Sequence, residues 1–450
     1  MITQNFLIFD KALSEQFDKL IYQSLRQEKF IANDSSIFIV IVDALNECEK
    51  ERNVKAIIDL WSRLTHLITI RLKLFLTSRS ELSIQLEFRN ISTVIHQNMI
   101  LQNAVFHTTI QHDIFIFLND VFKKIRNFYN LNSLSRTFLD WDWLNDKKLQ
   151  ALINMTVSLF VIATIISRFI DDFDWNSRER LEMILQFSSI ERSEQMTQTY
   201  LSVLTQFSTR LKNSHDKKKL HQEFHMIVES IVLLVESLFI QSLMILLNIS
   251  ADMIALRLRS LHSVLRIFTD SNTSIRTLHL SFNEFLLSDQ LQSKSFEVND
   301  HATHSMLLSK CLQLLSWSED LQENLCKLEY SDKLRREIDQ ITINDRLSSA
   351  FQYACQYWIQ HARYNEIEIR DQDDVHIFLQ KHFLHWLKAM SLINRLVKID
   401  EKIRILQSLV LISDHQKRNF NWEFNFNIFW DSQVIHLICQ IFFRTRNKLF

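Results

Sequence analysis

Apolar positions along the chain follow two rhythms, and the change between them divides the sequence. Leu13, Phe17, Leu20, Ile21 and Leu25 recur at helical intervals, which predicts an amphipathic helix over Asp10–Gln27. Ile37–Val42 (IFIVIV) is an unbroken apolar, β-branched run ending in Asp43. Such a run predicts a buried parallel strand. Ile57, Ile58, Trp61 and Leu64 give Val54–Leu67 helical spacing, and Leu72–Thr77 (LKLFLT) predicts a second buried strand. Strand, helix and strand within about forty residues form a βαβ unit.

Beyond about residue 100 the strand signal fades and helical spacing takes over. It predicts helices at Asp113–Phe128, Lys148–Ile170, Arg178–Gln186, Gln198–Leu211, Leu220–Leu247 and Met253–Leu265. A short strand at Ile275–Leu280 and a helix at Phe282–Ser288 follow, and Ser305 to Leu411 is almost entirely amphipathic helix. Asn419–Trp430 (NFNWEFNFNIFW) mixes aromatic and polar residues and is expected to stand apart from the fold. Val157–Ile166 and Leu238–Ile249 are apolar but short. A membrane span needs about 20 apolar residues, so both are expected to be buried helices. The opening MITQNFLIFDKALSEQ has no basic stretch followed by an apolar run, so no signal peptide is expected.

Composition adds one sharp constraint. The 450 residues include no glycine and no proline. Roughly fifty such residues would be average. Turns must therefore be made by Ser, Asn and Asp. A GxxxxGK[ST] phosphate cradle or a GxGxxG turn cannot lie within this sequence. The net charge of −1 supplies no overall field for nucleic acid or an anionic membrane. Five scattered cysteines without a CxxC pair describe neither a disulfide framework nor a zinc ribbon, and a reducing, cytoplasmic setting is expected.

The strongest chemical signal is IFIVIVDALNECE, Ile37 to Glu49. An apolar strand ending in Asp43, with Glu47 four residues on, has the Walker B arrangement. Asp43 could hold Mg²⁺ at the strand's carboxyl end and Glu47 could polarise the attacking water. The alternative is an ordinary strand followed by a solvated acidic turn. The second strand continues into Thr77-Ser78-Arg79, where polar and basic groups could sense a γ-phosphate. Arg79 could equally be a surface arginine in a loop.

Together these segments resemble the NACHT domain of fungal NOD-like receptors, the nephrocystin-3-like group of STAND P-loop NTPases. In that family the first strand continues D-A-L-D-E-C and the second ends T-S-R-P-E. The resemblance continues through EQFDKLI (Glu15–Ile21), LFVIATIISRFI (Leu159–Ile170), SLHSVLRI (Ser260–Ile267) and LHLSFNEFLLS (Leu278–Ser288). FQYACQYWIQH (Phe351–His361) and FLQKHFLHWLKAMSLI (Phe378–Ile393) extend it to about residues 10–410.

The resemblance implies a mainly α protein with a partial α/β P-loop NTPase core. Residues 1–100 would be the C-terminal part of the nucleotide-binding core, 101–215 a helical domain and 216–295 a winged-helix-like domain. Residues 296–450 would be a further helical domain with an irregular tail. It also implies roles for Asp43 and Glu47 in catalysis, for Asp43 as metal ligand, and for Thr77, Arg79 and His279 in sensing nucleotide. The family's cofactors are Mg²⁺ and ATP or GTP.

Departures from the family pattern point the other way. The family's phosphate-binding loop precedes the Walker B strand, and the chain is expected to start too late to hold it. Asn46 replaces Asp, and Ser80 and Ser83 stand where Pro is usual. Glu87, Ser158, Glu229 and Ser237 stand where relatives commonly carry Gly or Pro. C→T and G→A transitions produce most of these replacements, as expected of a mutated, truncated relative. A sequence filtered to lack both residues is the other explanation, and strand-coherent transition bias in the coding DNA separates the two. The expectation is a nucleotide-binding-deficient fragment that binds no cofactor and contacts other proteins, a homo-oligomer included, with no membrane span and no nucleic acid. The alternatives are an ATP- or GTP-dependent switch in a longer gene product and a winged-helix nucleic-acid binder.

Other constellations are weaker. His221 and His225 lie one helical turn apart with Glu223 between them, but no third zinc ligand is evident. His382 and His385 beside Trp386 read as packing residues. Lys217–Lys219 and Arg257, Arg259 and Arg266 read as solvated basic faces.

Overall fold

The computed structural model describes residues 12–26, 37–45, 48, 51–62, 64, 71–79, 82–89, 91, 96–100, 104–132, 138–157, 159–172, 175–209, 214–266, 274–288, 291, 296–317, 338–370, 372–395 and 399–409. Glu47, Asn46, Ser80 and Asn419–Trp430 lie outside the described residues. The chain is mainly helical and divides into two compact units, Met1–His107 and Thr108–Phe450.

In the first unit, helical residues run from α1 (Leu13–Phe17) through a π-helical turn (Asp18–Tyr22) into α2 (Gln23–Arg26). Strand β1 (Ile37–Val42), helix α3 (Glu51–Ser62) and strand β2 (Arg71–Leu76) follow, then α4 (Leu82–Arg89). β1 and β2 pair in parallel with Val42 opposite Leu76, so the predicted βαβ unit forms. Period-two alternation sends Leu72 toward Phe17, Leu60, Trp61 and Leu64. Phe17 meets Trp61 edge-on at 5.3 Å. Leu45, Val54, Ile58 and Ile84 form a second small cluster.

The expectation of strands buried on both faces needs correction. Ile39 and Ile41 are 66% and 67% exposed, and Phe75 is 52% exposed. Parallel sheets normally carry helices on both faces. Here the described helical residues that pack with Leu72 serve the opposite face.

The second unit is built from α5 (Ala104–Asn132), α6 (Asp146–Thr156), α7 (Phe160–Ile170), α8 (Ser177–Leu185) and α9 (Arg192–Thr209). Next come α10 (Ser214–Phe224), a π-helical turn (His225–Glu229), α11 (Ser230–Leu233), α12 (Ile240–Leu247) and α13 (Ala251–Arg259). A short antiparallel pair, β3 (Leu265–Arg266) and β4 (Arg276–Thr277), precedes α14 (Leu280–Leu286). Helices α15 (Asp300–Trp317), α16 (Gln340–Arg346), α17 (Ser349–Tyr364), α18 (Asp374–Leu392) and α19 (Ile399–Leu409) complete it. One continuous apolar cluster reaches from Ile114 to Leu406. Near its far end Trp358 and Trp386 meet at 5.7 Å, both fully buried, and the Trp386 indole donates to the Cys355 carbonyl at 2.8 Å.

Two predicted continuous helices are broken. Lys148–Ile170 divides into α6 and α7 around Val157. There the Thr156 hydroxyl bonds the Leu152 carbonyl at 2.8 Å, and Leu159 N–H turns back to the Thr156 carbonyl. Leu220–Leu247 breaks between α11 and α12, where Val235 N–H donates to the Tyr353 hydroxyl and Ile275 N–H to the Leu238 carbonyl. At this second break tertiary partners take over backbone groups that a helix would have used.

Chain ends of helices show how turns form without glycine or proline. Asn145, Asn176, Ser250, Asp339, Ser348 and Asp373 cap helix N-termini through their side-chain oxygens. Past the C-termini, Asn248, Glu366 and Asn394 adopt positive φ of 56°, 49° and 59°. Each closes a Schellman pair, such as Asn248 N–H to Ile245 and Ile249 N–H to Met244. No single helix among the described residues is long and apolar enough to cross a membrane. Helices α12 and α13 would reach that length together, but they bend by 117°.

Candidate functional site

Parallel pairing brings the ends of β1 and β2 side by side, and with them Asp43 and Thr77. Thr77 N–H continues the ladder to the Val42 carbonyl at 3.0 Å, and Leu45 N–H returns to the Thr77 carbonyl at 2.9 Å. The Thr77 hydroxyl accepts from Ala44 N–H at 2.9 Å and donates to the Asp43 carboxylate in a short bond. One side chain thereby holds both the backbone and the acid of the neighbouring strand. Ala44 reaches this geometry at φ 54°, a left-handed conformation in which Cβ is unfavourable. Ser78 bonds the Arg79 carbonyl at 2.8 Å, and Arg79 is half-buried.

Of the residues singled out in the sequence, Asp43 and Thr77 are thus in direct contact, and Arg79 follows two residues after Thr77. His279 belongs to the second unit. It caps the N-terminus of α14, where Nδ1 accepts from Ser281 N–H at 3.1 Å and meets Ser281 Oγ at 2.6 Å. Ser281 Oγ also meets the buried Tyr200 hydroxyl at 2.8 Å. Burial raises the Tyr200 pKa. Because Nδ1 accepts, the ring proton lies on Nε2 in the neutral tautomer. The link between Ser281 and Tyr200 was not legible from spacing, since it joins positions eighty-one apart.

Mg²⁺ holding a nucleotide takes octahedral oxygens, usually one or two carboxylates with waters and phosphates. Asp43 offers one carboxylate, already accepting from Thr77. The phosphate cradle that would complete such a site is a glycine loop, and the sequence contains no glycine. Among the described residues no group of three or more His, Cys, Asp and Glu could hold a metal.

Other polar clusters lie within the helical unit. His225 pairs with Glu229 at 2.5 Å, Glu229 also accepts from Thr303, and Glu223 binds Arg257. His382 stacks on Phe378, and His385 lies 5.9 Å from His382.

Residues 3–79 match the family described as Nephrocystin 3, N-terminal. The matched stretch includes β1, α3, β2, Asp43 and Thr77. No curated protein and no solved structure matches the chain.

Proposed function

We propose that this chain is a NACHT-type, nephrocystin-3-like protein that does not hold nucleotide and acts through contact with other proteins in the cytoplasm. The observation that carries the reading is the closed Asp43–Thr77 bond at the strand tips of a sequence without glycine. An acid whose oxygen accepts a neighbouring hydroxyl, in a sequence without the glycine loop that cradles phosphate, serves the fold before it serves a metal. The match over residues 3–79 supports the nephrocystin-3-like part. The extensive helical unit supplies surface for protein contact.

A second reading has one observation in its favour. Asp43 and Thr77 sit at adjacent carboxyl ends of parallel strands, where α/β folds bind their ligands. In that reading a longer gene product supplies the phosphate loop, Glu47 activates water, Arg79 reads the nucleotide, and ATP or GTP with Mg²⁺ gates assembly. Sedimentation of the protein as its whole gene encodes it, with and without Mg²⁺ and ATP, separates the two. The proposal expects the same sedimentation in both conditions, whereas a nucleotide-driven change of assembly overturns it in favour of a switch.

A further inference from the structure

His262 lies in the turn between α13 and β3, and its ring is held from two directions. Nδ1 lies 3.0 Å from the Arg259 carbonyl, and Nε2 lies 2.9 Å from the Arg168 carbonyl. Backbone carbonyls accept hydrogen bonds and cannot donate them. Neutral imidazole carries one N–H, so it can make one of these bonds. Imidazolium carries two and makes both.

The two carbonyls are also the ends of helices. Arg259 is the last residue of α13, and Arg168 lies in the last turn of α7. Such carbonyls lack an intrahelical donor, and the partial negative charge of a helix C-terminus favours a cation there. The clasp is reciprocal, because the Arg168 guanidinium donates to the His262 carbonyl at 3.2 Å.

We infer that His262 acts as a proton-dependent clasp, joining the C-termini of α7 and α13 while its ring is imidazolium and losing one of its two bonds when the ring is neutral. The charged groups around it come from each neighbouring element. Asp171, after α7, interacts favourably with the charged ring, and Asp172 lies beside Asp171. Arg168 of α7 and Arg266 of β3 interact unfavourably with each other across the same region, and Arg259 precedes the turn. The clasp responds to pH through the number of protons this ring carries. Its sign is fixed by the donor count: fastened at the acidic end, loosened at the alkaline end.

The test uses the whole chain with ring-labelled histidine, read by proton–nitrogen correlation, with His262→Gln to assign the signal. At pH 6 the His262 ring should show protons on both nitrogens, and at pH 8.5 on one. Backbone hydrogen exchange over 260–264, corrected for the intrinsic rate, should rise about tenfold across the same interval, the size expected of a charge at a partly buried helix end. In His262→Gln that rise should vanish. A neutral ring at pH 6, or exchange over 260–264 that stays constant in the native chain, would overturn the inference. The ring signal is read on the native chain, so it decides the question even if the variant does not fold.

Discussion

Ala44 shows what the absence of glycine costs one backbone position. It holds φ 54° because Thr77 fixes the turn from both sides. Replacing it with glycine should stabilise the chain by about 0.5–1 kcal/mol, since the strain of Cβ in the left-handed region exceeds the entropy glycine adds to the unfolded chain. Denaturant midpoints of Ala44→Gly and the native chain check this, and a lower midpoint would show that the turn is unstrained. Thr77→Val should cost about 1–3 kcal/mol, because it leaves Ala44 N–H and Asp43 without their hydroxyl partner. Thr77→Ser should retain most of that stability in the same assay. Asp43 and Thr77 were legible in the sequence because each ends an apolar run. The bond between them needed the register, which no local pattern encodes.

Helix ends record the same constraint at the level of elements. Asp373 accepts from His376 N–H at 2.8 Å through one oxygen and from Arg370 N–H at 2.7 Å through the other. Asp373→Ala should therefore lower stability by about 1–2 kcal/mol, at the upper part of the range for an N-cap, with Asp373→Asn in between. Thermal unfolding of the three proteins would show the order, and equal melting temperatures would refute it. The strands β1 and β2 and most helices were legible because their apolar periods are long. The breaks after α6 and α11 were not. Neither contains a glycine or proline: the first turns on the Thr156 hydroxyl and carbonyl, and the second is made by the distant groups Tyr353 and Ile275. The exposed face of Ile39, Ile41 and Phe75 was also illegible, because a continuous apolar run does not say how many faces are covered.

At the scale of the molecule, buried histidines tie stability to pH. Val235 N–H donates to the Tyr353 hydroxyl, which meets His361 Nε2 at 2.8 Å, and His361 Nδ1 meets His304 Nδ1 at 2.9 Å. Two imidazoles sharing one hydrogen bond between Nδ1 atoms are satisfied when neutral. Burial, reinforced by His304, pushes the His361 pKa down to about 3, and burial lowers that of His304 as well. The unfolded chain then binds more protons than the native chain between about pH 3 and 6.5, so stability rises with pH across that window. Acidification from pH 7 should remove on the order of 4 kcal/mol of stability through His361. His361→Gln should flatten the dependence in denaturant melts at several pH values, and an unchanged slope would place its origin elsewhere. This sign is opposite to that of the His262 clasp, which loosens as pH rises.

The central claim, that the strand tips are self-paired and hold no nucleotide, is tested most directly by calorimetric titration of the folded chain with ATP and with ADP in the presence of Mg²⁺. Asp43→Ala serves as the paired variant, and circular dichroism establishes that both proteins are folded. The account predicts no heat of binding in either protein. Micromolar, Mg²⁺-dependent binding that disappears in Asp43→Ala would contradict it and establish an intact nucleotide switch.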